Sequence, residues 1–396
     1  MKKSLRLSAI LLFCCSFLGS QLSYAQYLPT PAHVVVVIEE NYAYSQIIGS
    51  SYAPYMNSLC SSPYCAVFTQ SYAIEHPSEP NYLDLYSGQN QGITDDNYPT
   101  ADGVSLPFTD CNMGYQLISS GKSFISYSES MPSVGYDGVD YAGSTGEYYR
   151  KHNPCTNWCN SLGAGANTYS DTINQPFAGY FPDSANYTTL PTVSYVIPNG
   201  TNDMHDGSYP TNITTGDTWM QTYMRSLINW AIATNTLVIW TFDEDDDLHG
   251  NNIPTLFIGS MVQGGTYSKH ITHYNVLRTI EQMYSLGYCG NAADSSAIYG
   301  IWRAPAGLVN FAAESATINV VPNPANTVAL FNSDKAIKGM INLMDINGNL
   351  VGQYPINGTS AEVNTAAFAQ GLYVYKILND ANNKVVNEGK FVITHN

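Results

Sequence analysis

The chain has 396 residues, a formal charge of −16 and only 12% charged residues. That length allows two or three domains, and the acidity disfavours nucleic acid or an anionic membrane as a long-range electrostatic partner. The 31 tyrosines suit an extracellular protein with long polar loops.

Residues 1–25 carry the three parts of a secretory signal: a basic start (Lys2, Lys3, Arg6), an apolar stretch over 7–18, and small residues at Ser23 and Ala25. Cleavage after Ala25 removes those three cations and leaves a charge of about −19. It also removes Cys14 and Cys15, so that six cysteines remain. An even number in an exported chain suggests disulfides. Cys60/Cys65 and Cys155/Cys159 are near enough in sequence to close small loops, which leaves Cys111 and Cys289 as a long-range pair; other pairings are open. The competing reading, a zinc site, lacks a histidine at ligand spacing from either pair. No stretch after the signal is long and apolar enough to span a bilayer.

Val34 to Ile38 form an unbroken apolar run of strand length, the pattern of a strand buried on both faces of a parallel sheet. Further strands are expected at 122–127, 192–197, 236–242 and 254–258. A helix is expected over 216–233, capped by Asp217 with Trp219, Tyr223, Leu227, Ile228 and Ala231 on one face. Another is expected over 274–286, with Val276, Leu277, Ile280, Met283 and Tyr284 inward. Strands alternating with helices argue for an α/β parallel sheet. The segments 88–107 and 132–190 are loop-rich and are expected over the sheet's carboxyl edge, where loops carry function.

Two strands run directly into acids. The first ends at Glu39-Glu40-Asn41 and the second at Asp243-Glu244, followed by Asp245, Asp246 and Asp247. Ligands bind at the carboxyl ends of such strands. Glu40, Asn41, Asp243 and Glu244 around one cation would make an all-oxygen set, which selects Mg²⁺, Ca²⁺ or Mn²⁺ over softer metals. The bland reading is a pair of solvated acidic loops. In His76-Pro77-Ser78-Glu79-Pro80-Asn81 a serine sits between two prolines, which stiffens it. A stiff hydroxyl beside a metal suits a nucleophile, although the same stretch also reads as a plain turn. His152, His205 beside Asp206, and His273 lie in polar settings and could meet phosphate oxygens, protonate a leaving group or ligate metal. A lone histidine is more often structural, and His33, His249, His270 and His395 are read so.

From Thr317 onward the pattern becomes short β runs broken by Asn347-Gly348 and Asn357-Gly358, as in a small antiparallel sandwich. Val320-Val321-Pro322-Asn323-Pro324, Met344-Asp345-Ile346-Asn347-Gly348 and Gly371-Leu372-Tyr373-Val374-Tyr375 make this tail similar to the C-terminal sorting domain of type IX secretion. The resemblance implies engagement of that machinery, export across the outer membrane, and release or surface attachment. An ordinary accessory β domain, for example one that binds carbohydrate, is the alternative.

The rest of the chain resembles the phosphoesterase family that joins secreted acid phosphatases to bacterial phospholipases C, within the alkaline phosphatase superfamily. The resemblance rests on Ile38-Glu39-Glu40-Asn41, His76-Pro77-Ser78-Glu79-Pro80-Asn81-Tyr82, Glu129-Ser130-Met131-Pro132, Lys151-His152-Asn153-Pro154, Asn202-Asp203-Met204-His205-Asp206, Thr241-Phe242-Asp243-Glu244 and His273-Tyr274-Asn275, in order. It implies a three-layer α/β/α sandwich over residues 26–312, with the β domain over 313–396. It makes Ser78 a transiently phosphorylated nucleophile and His205 and Asp206 further catalytic residues. Asn81, His152 and His273 would bind the substrate phosphate, and Glu40, Asn41, Asp243 and Glu244 would hold one divalent metal. The substrate would be a small phosphomonoester or phospholipid-derived. Phe242, where the family favours Tyr or Trp, and the acid run after Glu244 depart from the pattern. The alternatives are a phospholipase C-type phosphodiesterase and, in another class, a surface adhesin or glycan-binding protein with a vestigial site.

Overall fold

The computed structural model describes residues 27–162, 165–303, 316–346, 350–380 and 385–395. The expected signal, the expected boundary at 312/313 and the Asn347-Gly348 turn lie outside them. The chain divides into two compact units between Ala304 and Pro305.

The first unit is built on eight strands: β1 (His33–Glu39), β2 (Cys65–Phe68), β3 (Phe124–Ser128), β4 (Asn174–Pro176), β5 (Val193–Ile197), β6 (Thr236–Phe242), β7 (Thr255–Ile258) and β8 (Gly265–Tyr267). Their order across the sheet is β8-β2-β7-β6-β1-β5-β3-β4. β1 lies at the centre, parallel to β5 and β6. The sheet is mixed rather than wholly parallel, because β7 runs antiparallel to β6 and β2. Residues 243–254 hold no crossover helix, so the chain turns straight back.

Two cores explain the unbroken apolar runs. Val34, Val36, Ile38, Leu237 and Ile239 face one of them, under helices α2 (Ser78–Ser87), α3 (Met113–Ser119) and α5 (His273–Met283). Val35, Val37, Val238, Trp240 and Phe242 face the other, under α1 (Pro54–Cys60) and α4. Helix α4 covers 211–231: an α-helix (Thr211–Trp219), a π turn (Met220–Met224) and a second α-helical stretch (Arg225–Ala231). This is a three-layer α/β/α arrangement.

Helix α4 starts five residues before the expected position, and Asp217 does not cap it. Asp217 instead accepts from the backbone N–H groups of Tyr55 and Met56 in the first turn of α1. The π turn shifts the register, so that Met220 and Met224 are buried and Tyr223, expected inward, is 46% exposed. Helix α5 buries Val276, Leu277, Ile280 and Met283 as expected. Among the described residues the one disulfide is Cys111–Cys289; Cys60, Cys65, Cys155 and Cys159 are free thiols, so the two short-loop bridges are not made.

The second unit has β9 (Ile318–Val321), β10 (Val328–Met344), β11 (Leu350–Asn364), β12 (Gly371–Asn379) and β13 (Val385–Ile393), all antiparallel neighbours in one curled sheet around its own core. Asn357-Gly358 is not a hairpin turn. It lies inside β11 opposite Ile337 and Lys338, where the pairing with β10 slips.

Candidate active site

β1 and β6 are adjacent and parallel, so their carboxyl ends arrive together. Asn41 takes a left-handed conformation, φ 57°, which an Asn tolerates. That turn aims the Asn41 N–H at Asp243 Oδ1, at 3.2 Å, and the Glu244 N–H reaches the same oxygen at 2.6 Å. Period-two alternation puts Glu40 on the α2 side.

Ser78 is the first residue of α2, which has ten residues, and it is 2% exposed. Its Oγ lies 3.1 Å from Glu40 Oε2 and 3.0 Å from Glu244 Oε1. One turn on, Tyr82 donates to Glu40 Oε1 at 2.5 Å and stacks on His152 with ring centroids 5.3 Å apart. His152 comes from the long loop after β3. Its Nδ1 is 3.1 Å from Asp203 Oδ2 and its Nε2 3.3 Å from Glu40 Oε1. His205 sits beside it, with Nδ1 3.0 Å from Asp206 Oδ1 and Nε2 3.3 Å from Lys151 Nζ.

The structure therefore brings Glu40, Asn41, Ser78, His152, His205, Asp206, Asp243 and Glu244 into one neighbourhood. Two expected phosphate contacts, Asn81 and His273, make hydrogen bonds to backbone groups next to these residues. Asn81 accepts at Oδ1 from the N–H groups of Ile74 and Glu75 and donates to the carbonyls of Glu75 and Pro77, which fixes the loop before Ser78. His273 Nε2 is 2.6 Å from the Asp243 carbonyl, so this buried ring orients a strand end. Four residues went unassigned in the sequence reading. His76 Nδ1 is 2.6 Å from Glu244 Oε2, Asp203 backs His152, Lys151 Nζ pairs with Asp96 Oδ2 at 2.7 Å, and Tyr82 holds Glu40. All four stand inside the motifs quoted above, and Tyr82 also shows its place by its i+4 spacing from Ser78 on one helix face.

The electrostatics of the site call for a cation. Burial raises Glu40 well above the usual carboxylate range, Asp243 and Asp203 add to this, and Lys151 opposes it. Burial, then Asp243, pushes Glu244 up to about 9. Burial also raises Asp243, whose Oδ2 is buried without a hydrogen-bond partner. His152 is held well below its ordinary value by burial, with Lys151 and His205 contributing. A neutral ring that donates from Nδ1 to Asp203 leaves the Nε2 lone pair facing a carboxylate oxygen, which is unfavourable unless a cation or proton lies between them. Glu40, His152 and His205 offer donor atoms all within 4.8 Å of one another. That cluster is one carboxylate and two imidazoles; with the carboxylates of Asp243 and Glu244 beside Glu40 and Ser78, the donors present fit a divalent ion.

Residues 51–287 match the family described as the phosphoesterase family, and residues 319–394 match the secretion system C-terminal sorting domain. The chain is 44% identical over 278 residues to a phosphatidylinositol-3-phosphatase of Mycobacterium tuberculosis, which covers 70% of this chain and 85% of the relative. It is 28% identical over 263 residues to an acid phosphatase of Aspergillus fumigatus, covering 64% of this chain and 56% of the fungal protein. Among solved structures, a protein in the alkaline phosphatase superfamily from Vibrio parahaemolyticus aligns with a TM-score of 0.45 at 11% identity, over 91% of this chain and 82% of that one.

Proposed function

Because the chain belongs to the phosphoesterase family and carries a secretion sorting domain, we propose that it is an exported, metal-dependent acid phosphatase that hydrolyses phosphate monoesters through a phosphoserine. As a member it is a hydrolase of phosphoric ester bonds. The observation that carries the finer reading is a buried hydroxyl, Ser78 Oγ, about 3 Å from the carboxylates of both Glu40 and Glu244 at the first residue of a helix.

A helix N-terminus favours an anion in front of it, so α2 points its positive end at the phosphate. Glu40, Asn41, Asp243 and Glu244 would hold a divalent cation, which when bound would supply positive charge to the phosphoryl oxygens and make the hydroxyl easier to deprotonate. Ser78 gives its proton to the carboxylate it faces, and Oγ forms a bond to phosphorus while the bond to the departing alkoxide breaks. His205, held by Asp206 at Nδ1 and reachable from solvent, gives that alkoxide a proton. Water then attacks the phosphorus and gives a proton to His205 while the bond to Oγ breaks; Oγ takes its proton back from the carboxylate, and inorganic phosphate leaves with Ser78 restored. Asp203 keeps the His152 ring turned towards the site, and Asn81 keeps Ser78 in place. The mycobacterial relative acts on a phosphate carried by an inositol ring, which is also a monoester.

The test is a steady-state assay with p-nitrophenyl phosphate. Ser78→Ala should lower kcat by at least about 10³-fold with the circular dichroism spectrum unchanged, and EDTA should suppress the wild type until a divalent ion is returned. Wild-type turnover in Ser78→Ala would remove Ser78 as the nucleophile, and no turnover in either protein would favour the adhesin alternative. Faster cleavage of bis-p-nitrophenyl phosphate or phosphatidylcholine would favour the phosphodiesterase.

A further inference from the structure

A groove runs along the opposite side of the sheet from Ser78, between helix α4 and the loops that follow β3 and β4. Its main lobe has a volume of about 830 Å³, and a second lobe of about 420 Å³ shares Glu129, Thr145, Thr222 and Tyr223 with it. Ligand sites fall at roughly 300–1,000 Å³. The proposed phosphatase chemistry uses none of this space.

The chemistry of the walls is one-sided. Neither lobe is lined by a Lys, Arg or His; the charged lining residues are Glu129 and Asp183. An anion would find no counter-charge here. The threonines of α4 sharpen the point. Thr214, Thr218 and Thr222 are exposed, and each donates its hydroxyl proton to the carbonyl four residues back. The proton is spent on the backbone, so each hydroxyl offers the groove lone pairs. Glu129 adds carboxylate oxygen, held in place by the N–H of Asn199 and the amide of Asn202. A surface of acceptors suits a ligand rich in hydroxyl donors and disfavours phosphate, whose negative charge meets carboxylates and no cation.

Aromatic rings supply the rest. Tyr223 is 46% exposed and Tyr141 is 44% exposed, and both line the main lobe. Tyr223 is held rigid from behind by Phe177, at 5.7 Å between ring centroids, and by Trp219, at 5.5 Å. Trp219 lines the second lobe, and its indole N–H has no hydrogen-bond partner among the described residues. The π turn turns Tyr223 outward, and such turns occur often at functional sites. Threonine is also a poor helix former, so a row of it on an exposed helical face runs against local stability and asks for another use.

The geometry points to a second binding site in which a neutral oligosaccharide lies against Tyr223 and Tyr141 and donates hydroxyl hydrogen bonds to Glu129 and the α4 threonines. It is independent of the hydrolytic reading and would hold the enzyme on a glycan surface after export.

The full chain would be run on native gels containing neutral mannan, xylan, β-glucan or arabinogalactan, or anionic polygalacturonate. Retardation is expected in at least one neutral gel. The Tyr223→Ala and Tyr141→Ala variants should lose it by at least tenfold in apparent affinity, while p-nitrophenyl phosphate turnover, which reports an intact fold, stays at the wild-type value. No retardation in any neutral gel would overturn the proposal. So would retardation confined to polygalacturonate, or retardation equal in wild type and both variants.

Discussion

Adjacent residues meet opposite fates here. Glu39 and Glu40 follow one another at the end of β1, and alternation sends them to opposite layers. Glu40 joins Ser78 and His152, whereas Glu39 is fully buried on the other side with both oxygens lacking a hydrogen-bond partner. Burial, then the charges of Asp203, Glu129 and Asp217, raises Glu39 well above the usual carboxylate range. Glu281 allows a cleaner test, because it lies away from the metal donors. Its Oε1 accepts from the Cys289 N–H at 2.8 Å, Oε2 has no hydrogen-bond partner, and burial pushes it up to about 8. A carboxyl whose folded value lies above the unfolded one, about 4.3, stabilises fully below the unfolded value and loses that contribution as pH rises through the folded one. Glu281→Gln keeps the acceptor and cannot ionise. Its Tm should match wild type at pH 4 and exceed it at pH 8, as read by differential scanning calorimetry. A Tm below wild type at pH 8 would refute the assignment.

At the scale of elements, α2 matters most, because its first two turns present Ser78 and Tyr82 on the face towards Glu40. Its far end is fixed by Gly88, with φ 73°. A Cβ there would lie 2.2 Å from the Cys289 carbonyl oxygen, and the Gly88 carbonyl accepts from the Asn291 N–H at 2.8 Å. Backbone packs on backbone with no flexible side chain to move aside. Gly88→Ala therefore combines a left-handed penalty with overlap and should lower stability by at least about 2 kcal/mol in urea unfolding. A loss under about 0.5 kcal/mol would mean that the two loops separate easily. Helix α4 makes a complementary point: the π turn adds a residue to its cycle, and an inward-facing pattern drawn at even spacing then misplaces Tyr223.

For the whole molecule, the Cys111–Cys289 bridge spans 178 residues and ties the start of α3 to the segment after α5. Closing a loop of that size restricts the unfolded chain strongly, so the Cys111→Ser, Cys289→Ser pair should cost about 2–5 kcal/mol in guanidinium unfolding without a reductant. An unchanged midpoint would show that the helices alone define that region. The four free thiols are half-buried or buried, and burial raises each of them, Cys60 to about 11 and Cys159 to about 12. Such thiols react slowly. The second unit has its own core and matches the sorting domain, which directs the protein to export and release or surface display.

What the sequence by itself determined is what depends on neighbours along the chain. The valine run of β1 meant burial on both faces, the inward positions of α5 followed from its periodicity, and acids placed directly after β1 and β6 marked both strand ends. The motif order of the two matched regions also needed nothing beyond the chain. What only the tertiary structure decided is what depends on closure in space. Asp217 caps a helix far from it in sequence, Asn81 and His273 spend their side chains on backbone groups, His76 and Asp203 enter from separate loops, and close cysteines stay unbridged while distant ones join. Local spacing sets backbone conformation and the face a residue occupies, but a side chain's partner is fixed only when remote segments exclude water together and each buried polar group must find an answering atom.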